Sequence, residues 1–268
     1  MCTPLSINVI CSSGVTAHGS ITGRVGRTSE LLCHSLCVLP WEVLGETEAP
    51  DGTRLALTRR GGEFVILANG KSLMSNRMHG SEEALASLGL MAMPDPAGPR
   101  VLVGGLGMGY TLRATLDHLP AGATVVVAEL LPAVVDWNRG PLGPLTAHPL
   151  NDRRVSVMHG DVAKTLSRNP GAFDAVLLDV DNGPAAFTTD FNGGLYDNAG
   201  VANAHAALKP GGMLAVWSAW DDRKFEQRLR YGGFAVRVEH VRARLKKGGP
   251  HHTIFLGRKL TSARRVAE

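Results

Sequence analysis

The chain has 268 residues, of which 44% are hydrophobic and 19% charged, a composition typical of a soluble globular protein with one full domain or two modest ones. No run approaches about 18 consecutive apolar residues, which predicts no membrane span and no membrane partner. The formal net charge is +4, and basic residues accumulate towards the end of the chain. Because no aromatic residues are interleaved in the last segment, residues 258–268, we expect a solvated end and no nucleic-acid partner.

All four cysteines fall within the first 37 residues, at Cys2, Cys11, Cys33 and Cys37. No second ligand pair at zinc-site spacing accompanies them, and the histidines form no ligand spacing, so we expect no metal. The rest of the chain lacks cysteine, which fits the reducing cytoplasm. Residues 1–38 are rich in Ser, Thr and Gly without sustained periodicity and predict a loosely ordered N-terminal tail. Residues 261–268 form a basic tail.

The segment 39–75 predicts a small β-meander domain. Its three strand-like runs, Trp41–Glu46, Arg54–Thr58 and Glu63–Leu67, are separated by turn signals rich in Gly, Pro and Asp. Ser81–Leu90 then predicts a helix, with Ser81 as its N-cap and acidic residues in its first turn.

Residues 76–260 predict a Rossmann-like, nucleoside-binding catalytic domain. From Arg100 onwards, strands and helices alternate, which indicates βαβ units and a doubly wound, mostly parallel α/β sheet. The last two strands have no helix between them and are expected to pair antiparallel at one edge. The predicted strands are Val101–Val103, Thr124–Ala128, Val155–Met158, Phe173–Leu178, Met213–Trp217, Phe234–His240 and Thr253–Leu256. The predicted helices are Tyr110–Leu119, Leu131–Asn138, Asn198–Leu208 and Asp222–Arg230.

A glycine loop, VLVGGLGMGYTLR (residues 101–113), follows the first of these strands and opens a helix. Its glycines at 105, 107 and 109 let a ligand approach the backbone. Glu129 ends the next strand, where a carboxylate can accept hydrogen bonds from both ribose hydroxyls of a nucleoside. The glycine spacing fits the S-adenosylmethionine-binding version of this fold better than the dinucleotide-binding one. Asp161, after the third strand, stands where an adenine amino group is commonly held.

Over residues 41–257 the sequence resembles the spermidine synthase (aminopropyltransferase) family. The glycine loop, AELLPAVVDWNR, DAVLLDVDNGP and GGLYDNAGVANAHAALKPGG are similar to family motifs in order and spacing. The resemblance implies a class I methyltransferase-like fold after a β-meander. It also implies transfer of an aminopropyl group from decarboxylated S-adenosylmethionine, or S-adenosylmethionine itself, to a small amine substrate. A homodimer is expected on the same ground.

The resemblance also implies site residues. Asp179, at the end of a strand, is the expected catalytic carboxylate that orients the attacking amine and takes its proton, because an ammonium has no lone pair. Asp181 is expected to join it in catalysis and to attract a cationic substrate. Further substrate contacts are expected from Glu82 and Tyr196. The expected cofactor-binding residues are Gly105, Gly107, Met108, Gly109, Glu129, Leu130, Asp161, Val162 and Asp179.

Three features depart from the family pattern. The Gln that usually follows the last meander strand appears as Leu73 or Met74. Met108 stands where the family usually has an Asp that holds the amine of the decarboxylated cofactor. Ser81-Glu82-Glu83 stands where Tyr-His-Glu is usual. Two alternatives therefore remain open: an S-adenosylmethionine-dependent methyltransferase acting on a small acceptor, and a nucleoside-binding protein without transfer activity. The fold alone does not choose among them.

Overall fold

The computed structural model describes residues 39–93, 97–180, 183–184, 193–244 and 249–260, which belong to one compact unit beginning at Leu39. This unit opens with a four-stranded antiparallel sheet whose strands lie in chain order. The strands are β1 (Glu42–Glu48), β2 (Arg54–Arg60), β3 (Glu63–Ala68) and β4 (Lys71–Ser75). The predicted antiparallel meander is therefore present.

The fourth strand was missing from the sequence prediction, which stopped at three. Asn69 and Gly70 connect β3 to β4 with φ angles of 48° and 77°. Positive φ at both central residues is the requirement of a type I′ hairpin turn, and Asn-Gly is its preferred sequence. The run Lys71–Ser75 is short and mixed in polarity, so pairing with β3, and not its own hydrophobic pattern, makes it a strand.

Helix α1 (Gly80–Met91) leads from the four-stranded sheet to the second sheet. The prediction of Ser81 as its N-cap was wrong. The N-cap is His79, and Ser81 is fully buried within the first turn. Its hydroxyl contacts other side chains instead of a backbone N–H, because neighbouring elements bring those side chains within reach.

The second sheet has seven strands in the order β10-β11-β9-β8-β5-β6-β7. The strands β5 to β9 pair in parallel, whereas β11 is antiparallel to both β9 and β10, as expected for the last two strands. The doubly wound fold is confirmed. Its strand order reverses at β5 and β8, which is where such sheets open a ligand crevice. The strands are β5 (Arg100–Gly104), β6 (Thr124–Glu129), β7 (Val155–His159), β8 (Phe173–Leu178), β9 (Leu208–Ser218), β10 (Phe234–Arg242) and β11 (His251–Lys259).

Helices cover both faces of this sheet, and a hydrophobic core lies under each set. Val101 and Val103 of β5 belong to one core and Leu102 to the other, as the alternation of a strand requires. The first core includes α1, α2 (Tyr110–His118) and α3 (Pro132–Arg139). The second includes α4 (Val162–Arg168), α5 (Gly193–Tyr196), α6 (Asn198–Ala207) and α7 (Arg223–Tyr231). In the described part of the chain, no helix has the length and apolar character needed to cross a membrane.

The sequence predicted a helix ending at Leu208 and a strand beginning at Met213, so that Lys209-Pro210-Gly211-Gly212 would lie between them. Instead, β9 already begins at Leu208. Leu208 pairs with Phe173 and Met213 with Ala175, so the four residues form an irregularity in the strand register. Gly211 has φ of 79°, which suits glycine at this irregularity. The predicted start of this strand at Met213 was therefore wrong, because β9 begins five residues earlier, although Met213–Trp217 lies within β9.

Candidate active site

The glycine loop forms where β5 ends at the switch point of the sheet. Gly105, Gly107 and Gly109 have φ angles of 83°, 51° and 84°, a region that favours glycine. A side chain at Gly105 would also collide with the carbonyl oxygen of Asp179. Asn138, on α3, donates from Nδ2 to the carbonyl oxygen of Gly107 at 2.8 Å and fixes the loop. The predicted loop is thus held in a shape that only small residues permit.

Glu129 links the end of β6 to this loop. Its side chain is buried, and its Oε2 accepts from the backbone N–H of Leu106 at 2.8 Å. Its Oε1 accepts from the N–H of Leu131 at 2.9 Å. The carboxylate thus lies between the glycine loop and the end of β6, the position from which an acid contacts a ribose in folds of this type. The intervening Leu130 is half-buried. The ribose role of Glu129 and the cofactor role of Leu130 stay predictions.

Asp161 stands at the carboxyl end of β7, next to α4. Its Oδ1 accepts from the N–H of Ala163 at 2.7 Å, which makes it the N-cap of that helix. The following Val162 is buried and lies under Gly104, where a Cβ on the glycine would be 2.8 Å from the valine Cγ2. Val162 therefore borders the end of β5, whereas Asp161 begins α4 at the end of β7. Their predicted cofactor contacts stay predictions.

Asp179 follows β8 directly and lies beside the glycine loop. Its backbone N–H donates to the carbonyl oxygen of Gly104 at 2.8 Å. Its Oδ2 accepts from the hydroxyl of Thr111 at 2.5 Å. Thr111 is almost fully buried in the first turn of α2, and sequence reasoning missed it. Its only sequence signal was a position two residues after the last loop glycine.

Glu82 lies in the first turn of α1, and the packing of this helix places it near Asp179. Burial, followed by the negative charge of Asp179, raises the pKa of Glu82 to about 8. The hydroxyl of Thr111 lies 3.5 Å from the backbone carbonyl oxygen of Glu82. The adjacent Glu83 is paired instead with His79, at 2.7 Å, and the ring of His79 stacks on Tyr110. The hydroxyl of Thr111 thus contacts the backbone of one predicted acid and the carboxylate of another, which places Glu82 and Asp179 near each other at the carboxyl end of the sheet.

The other predicted residues are placed differently. Tyr196 is buried, with its ring against Phe225 and its hydroxyl donating to the carbonyl oxygen of Val180 at 3.3 Å. Met108 is buried in the core shared by α1 and α2. Asp181 lies outside the described residues. The substrate roles of Tyr196 and Asp181 and the cofactor role of Met108 stay predictions.

Within the described ranges, no group of three or more His, Cys, Asp or Glu side chains is arranged to hold a metal ion. The acids at the site are instead bound by hydroxyls and backbone N–H groups, as given above for Glu129 and Asp179. The arrangement can bind a cation and move a proton.

The fold and this edge of the sheet define a doubly wound α/β protein with a glycine loop, a carboxylate on the neighbouring strand and two further acids, Asp179 and Glu82, beside the loop. The chain belongs to the spermine/spermidine synthase family: the family model for the spermine/spermidine synthase domain matches residues 78–224. That match includes the glycine loop, Glu129, Asp161, Asp179 and the start of α1.

Curated relatives and a solved structure agree with this assignment. The chain is 33% identical over 155 residues to the polyamine aminopropyltransferase of Leptospira biflexa, an alignment that covers 57% of this chain and 51% of the relative. It is 29% identical over 249 residues to the polyamine aminopropyltransferase of Mycobacterium tuberculosis, covering 85% of this chain and 45% of the relative. The chain thus spans about half the length of these relatives.

The fold is similar to that of the crystal structure of spermidine synthase from Thermotoga maritima. The TM-score is 0.65 at 18% sequence identity, and the alignment covers 81% of this chain and 72% of the other. At this identity the likeness shows the fold, which is the methyltransferase-like sheet preceded by the small antiparallel sheet.

Proposed function

We propose that this chain is a polyamine aminopropyltransferase, which moves an aminopropyl group from decarboxylated S-adenosylmethionine to a small amine. The observation that carries the proposal is the convergence of Asp179 and Glu82 on Thr111 beside the glycine loop, where one hydroxyl contacts the Asp179 carboxylate and the backbone carbonyl oxygen of Glu82. A polyamine substrate is cationic at neutral pH, and two neighbouring carboxyl groups suit a site that must bind it and deprotonate it. The names of the relatives favour this activity over methyl transfer and over a nucleoside-binding role without catalysis.

The proposed step is a displacement at carbon. The amine nitrogen attacks the propyl carbon attached to the sulfonium, a C–N bond forms, and the C–S bond breaks with its electron pair going to sulfur. The product sulfur is a neutral thioether, and the nitrogen gives up one proton to Asp179. The bond from Thr111 holds Asp179 in place, so the carboxylate meets the amine in a fixed orientation.

The cofactor's nucleoside is assigned to the glycine loop, with Glu129 at the ribose and Asp161 at the adenine amino group. Gly105 supports this because its own lack of a Cβ keeps the loop close to Asp179. Transfer therefore occurs at the end of β5, next to the acid that accepts the proton. No metal takes part in this scheme.

Which sulfonium nucleoside binds is tested by product analysis. Purified protein is incubated with putrescine and either decarboxylated S-adenosylmethionine or S-adenosylmethionine, and the products are read by mass spectrometry. We expect an aminopropylated amine and a thioether nucleoside with the decarboxylated cofactor. A methylated amine formed with ordinary S-adenosylmethionine would identify a methyltransferase instead. The same assay with Asp179→Asn should lose turnover, and full activity of that variant would remove Asp179 from the scheme.

Ordinary S-adenosylmethionine is the second candidate cofactor, and the observation that favours it is Met108. Its apolar side chain supplies no carboxylate to hold the amine of the decarboxylated form. Calorimetry with both nucleosides measures the preference. Tighter binding of the decarboxylated form by at least about tenfold, or about 1.4 kcal/mol, supports aminopropyl transfer, and the reverse order opposes it.

We also propose a homodimer acting in the cytoplasm. The cytoplasmic assignment rests on the absence of cysteine after Cys37, and the dimer on the family resemblance. Light scattering coupled to size-exclusion chromatography measures the assembly, and a mass of one chain would contradict the dimer.

A further inference from the structure

A chain of hydrogen bonds leads away from Glu82 through a buried serine to a histidine. The Ser81 hydroxyl lies 2.6 Å from Oε2 of Glu82 and 2.8 Å from Nδ1 of His252. Ser81 is fully buried, whereas His252 is half-buried and its neighbour His251 is exposed. The three side chains therefore connect the interior of the site with the protein surface.

The sheet fixes the histidine end of this chain. Ile254 of β11 pairs with Trp217 of β9, which places the start of β11 at the same edge as the ends of β8 and β9. The imidazole of His252 lies edge-to-face with the ring of Trp217, with centroids 4.7 Å apart. Ser81 meets it from the first turn of α1. Two elements far apart in sequence thus hold the serine and the histidine in contact.

A hydroxyl placed between a carboxyl group and an imidazole can pass a proton on. When Glu82 is protonated, its O–H donates to Ser81, and Ser81 donates to Nδ1 of a neutral His252. Transfer breaks the O–H bond of Glu82 and forms one at Ser81, while the original serine O–H bond breaks and an N–H bond forms at Nδ1. The result is a Glu82 carboxylate and a His252 imidazolium, which releases a proton to water.

We propose that Ser81 and His252 form a proton path that removes from the site the proton released in aminopropyl transfer. The proposal rests on the proposed function, in which Asp179 first accepts this proton. Thr111 contacts both the Asp179 carboxylate and the backbone of Glu82, so the two acids lie near each other, and a proton released beside them can leave through Glu82 and Ser81. Ser81 and His252 are positioning and proton-transfer residues in this scheme, and neither contacts the reacting carbon.

The pKa values of the two ends determine how a proton moves along this path. With its pKa near 8, Glu82 gains and loses its proton close to neutral pH. Burial, together with the nearby charge of His251, lowers the pKa of His252, so the imidazolium gives up its proton readily. Because Glu82 holds its proton more tightly than His252 does, the imidazolium forms only transiently and returns to the neutral ring once it has released the proton to water.

The other titratable groups around the path have partners of their own. Glu83, on the same helix as Glu82, is paired with His79. Tyr110, on α2, stacks on that histidine, and burial raises its pKa to about 12, so it stays protonated. Asp221, which follows β9, accepts from Thr253 at 2.7 Å and contacts His240 at 2.8 Å. These groups are therefore held outside the Glu82–Ser81–His252 chain.

The experiment compares Ser81→Ala, His252→Ala and His252→Gln with the wild type, and Arg258→Gln, at an exposed position near the other end of β11, serves as the control on the same strand. The rate kcat is measured with putrescine and decarboxylated S-adenosylmethionine between pH 6 and pH 9. We expect kcat to fall about tenfold in the Ser81 and His252 variants, with KM within about twofold, because proton removal becomes limiting. Added imidazole should restore kcat of His252→Ala, and Arg258→Gln should match the wild type.

Two results separate the possible failures. If the wild type transfers no aminopropyl group, the proposed function fails, and the path fails with it. If the wild type is active and the Ser81 and His252 variants keep its kcat and its pH profile, the path alone is overturned. A fall in kcat of folded His252→Ala that imidazole does not restore also overturns it, because it marks a structural role. Thermal unfolding of each variant verifies that it is folded.

Discussion

The hydroxyl of Thr111 donates to the carboxylate of Asp179 at 2.5 Å, joining the first turn of α2 to the end of β8. Asp179 also lies against Gly105, and its charge acts on Glu82. The buried hydroxyl of Thr111 thus orients Asp179, which lies next to the glycine loop and near Glu82 of α1. Hydrogen bonds to an ionised group are among the stronger ones in proteins, at about 1.5–3 kcal/mol.

Replacing this hydroxyl should impair turnover. In Thr111→Val the shape of the side chain is retained and the donor is lost, so the Asp179 carboxylate becomes free to rotate away from the amine. We expect kcat to fall about tenfold or more, with little change in cofactor affinity, in the putrescine assay. Thr111→Ser keeps the hydroxyl and should retain most of the activity. Equal activity in the valine and serine variants would contradict this role.

The charge of Glu82 should make the stability of the protein depend on pH. Its pKa is about 8 in the folded protein against an ordinary value of 4.5, so the folded state binds the extra proton between these values. Stability from this group is present below about pH 4.5 and is lost as the pH rises through about 8. The Glu82→Gln variant cannot ionise at this position and does not lose this stability as the pH rises. The difference in the free energy of unfolding, variant minus wild type, should therefore increase from pH 5 to pH 8.5.

Urea unfolding at pH 5, 6.5 and 8.5 measures this difference. The matched control is Glu46→Gln, because Glu46 is exposed on β1, far along the chain from the acid pair. Its effect on the free energy of unfolding should not vary with pH. A Glu82→Gln variant whose effect is equally independent of pH would show that Glu82 is ionised throughout.

The sequence predicted those parts of the site that are encoded locally. Glycines after a buried strand and acids at strand ends identified Gly105, Glu129 and Asp179, because such patterns follow from φ angles and from parallel topology. The contact between Ser81 and His252 was not predictable, since it depends on the packing of α1 against β11. Asn138 was missed for the same reason: its role as a donor to Gly107 exists only once α3 packs beside the loop.

Gly105 is expected to tolerate no side chain. Gly105→Ala places a Cβ against the carbonyl oxygen of Asp179 in a residue with φ of 83°. The loop must move, so we expect cofactor affinity to fall at least about tenfold in calorimetry. The control is Gly171→Ala, which has φ of 63° but no atom within 4 Å of the added Cβ. It bears comparable backbone strain, about 1 kcal/mol, and should bind the cofactor normally. Weak binding by both variants would attribute the loss to general destabilisation.

An ion pair away from the site is expected to stabilise the fold at neutral pH. The guanidinium of Arg154 donates from Nε and Nη2 to the two carboxylate oxygens of Asp152, at 3.0 and 2.7 Å. Its Nη1 donates to the carbonyl oxygens of Leu116 and Leu119 at 3.0 and 2.7 Å, so the pair ties the start of β7 to the end of α2. Hydrogen bonds from Arg154 lower the pKa of Asp152 to about 2, from an ordinary value of 3.8.

Because this pKa is lowered in the folded state, the stabilisation is present above about pH 4 and is lost as the pH falls through about 2. Asp152→Asn should therefore lower the free energy of unfolding by roughly 1–2 kcal/mol at pH 7 and by progressively less between pH 4 and pH 2.5. Urea unfolding at these three pH values measures the difference. The control is Asp136→Asn, whose side chain is 72% exposed and lies 3.7 Å from Arg139, a pair too exposed to contribute measurably. If both variants lose stability equally at every pH, the Asp152–Arg154 pair does not tie β7 to α2 through its charge.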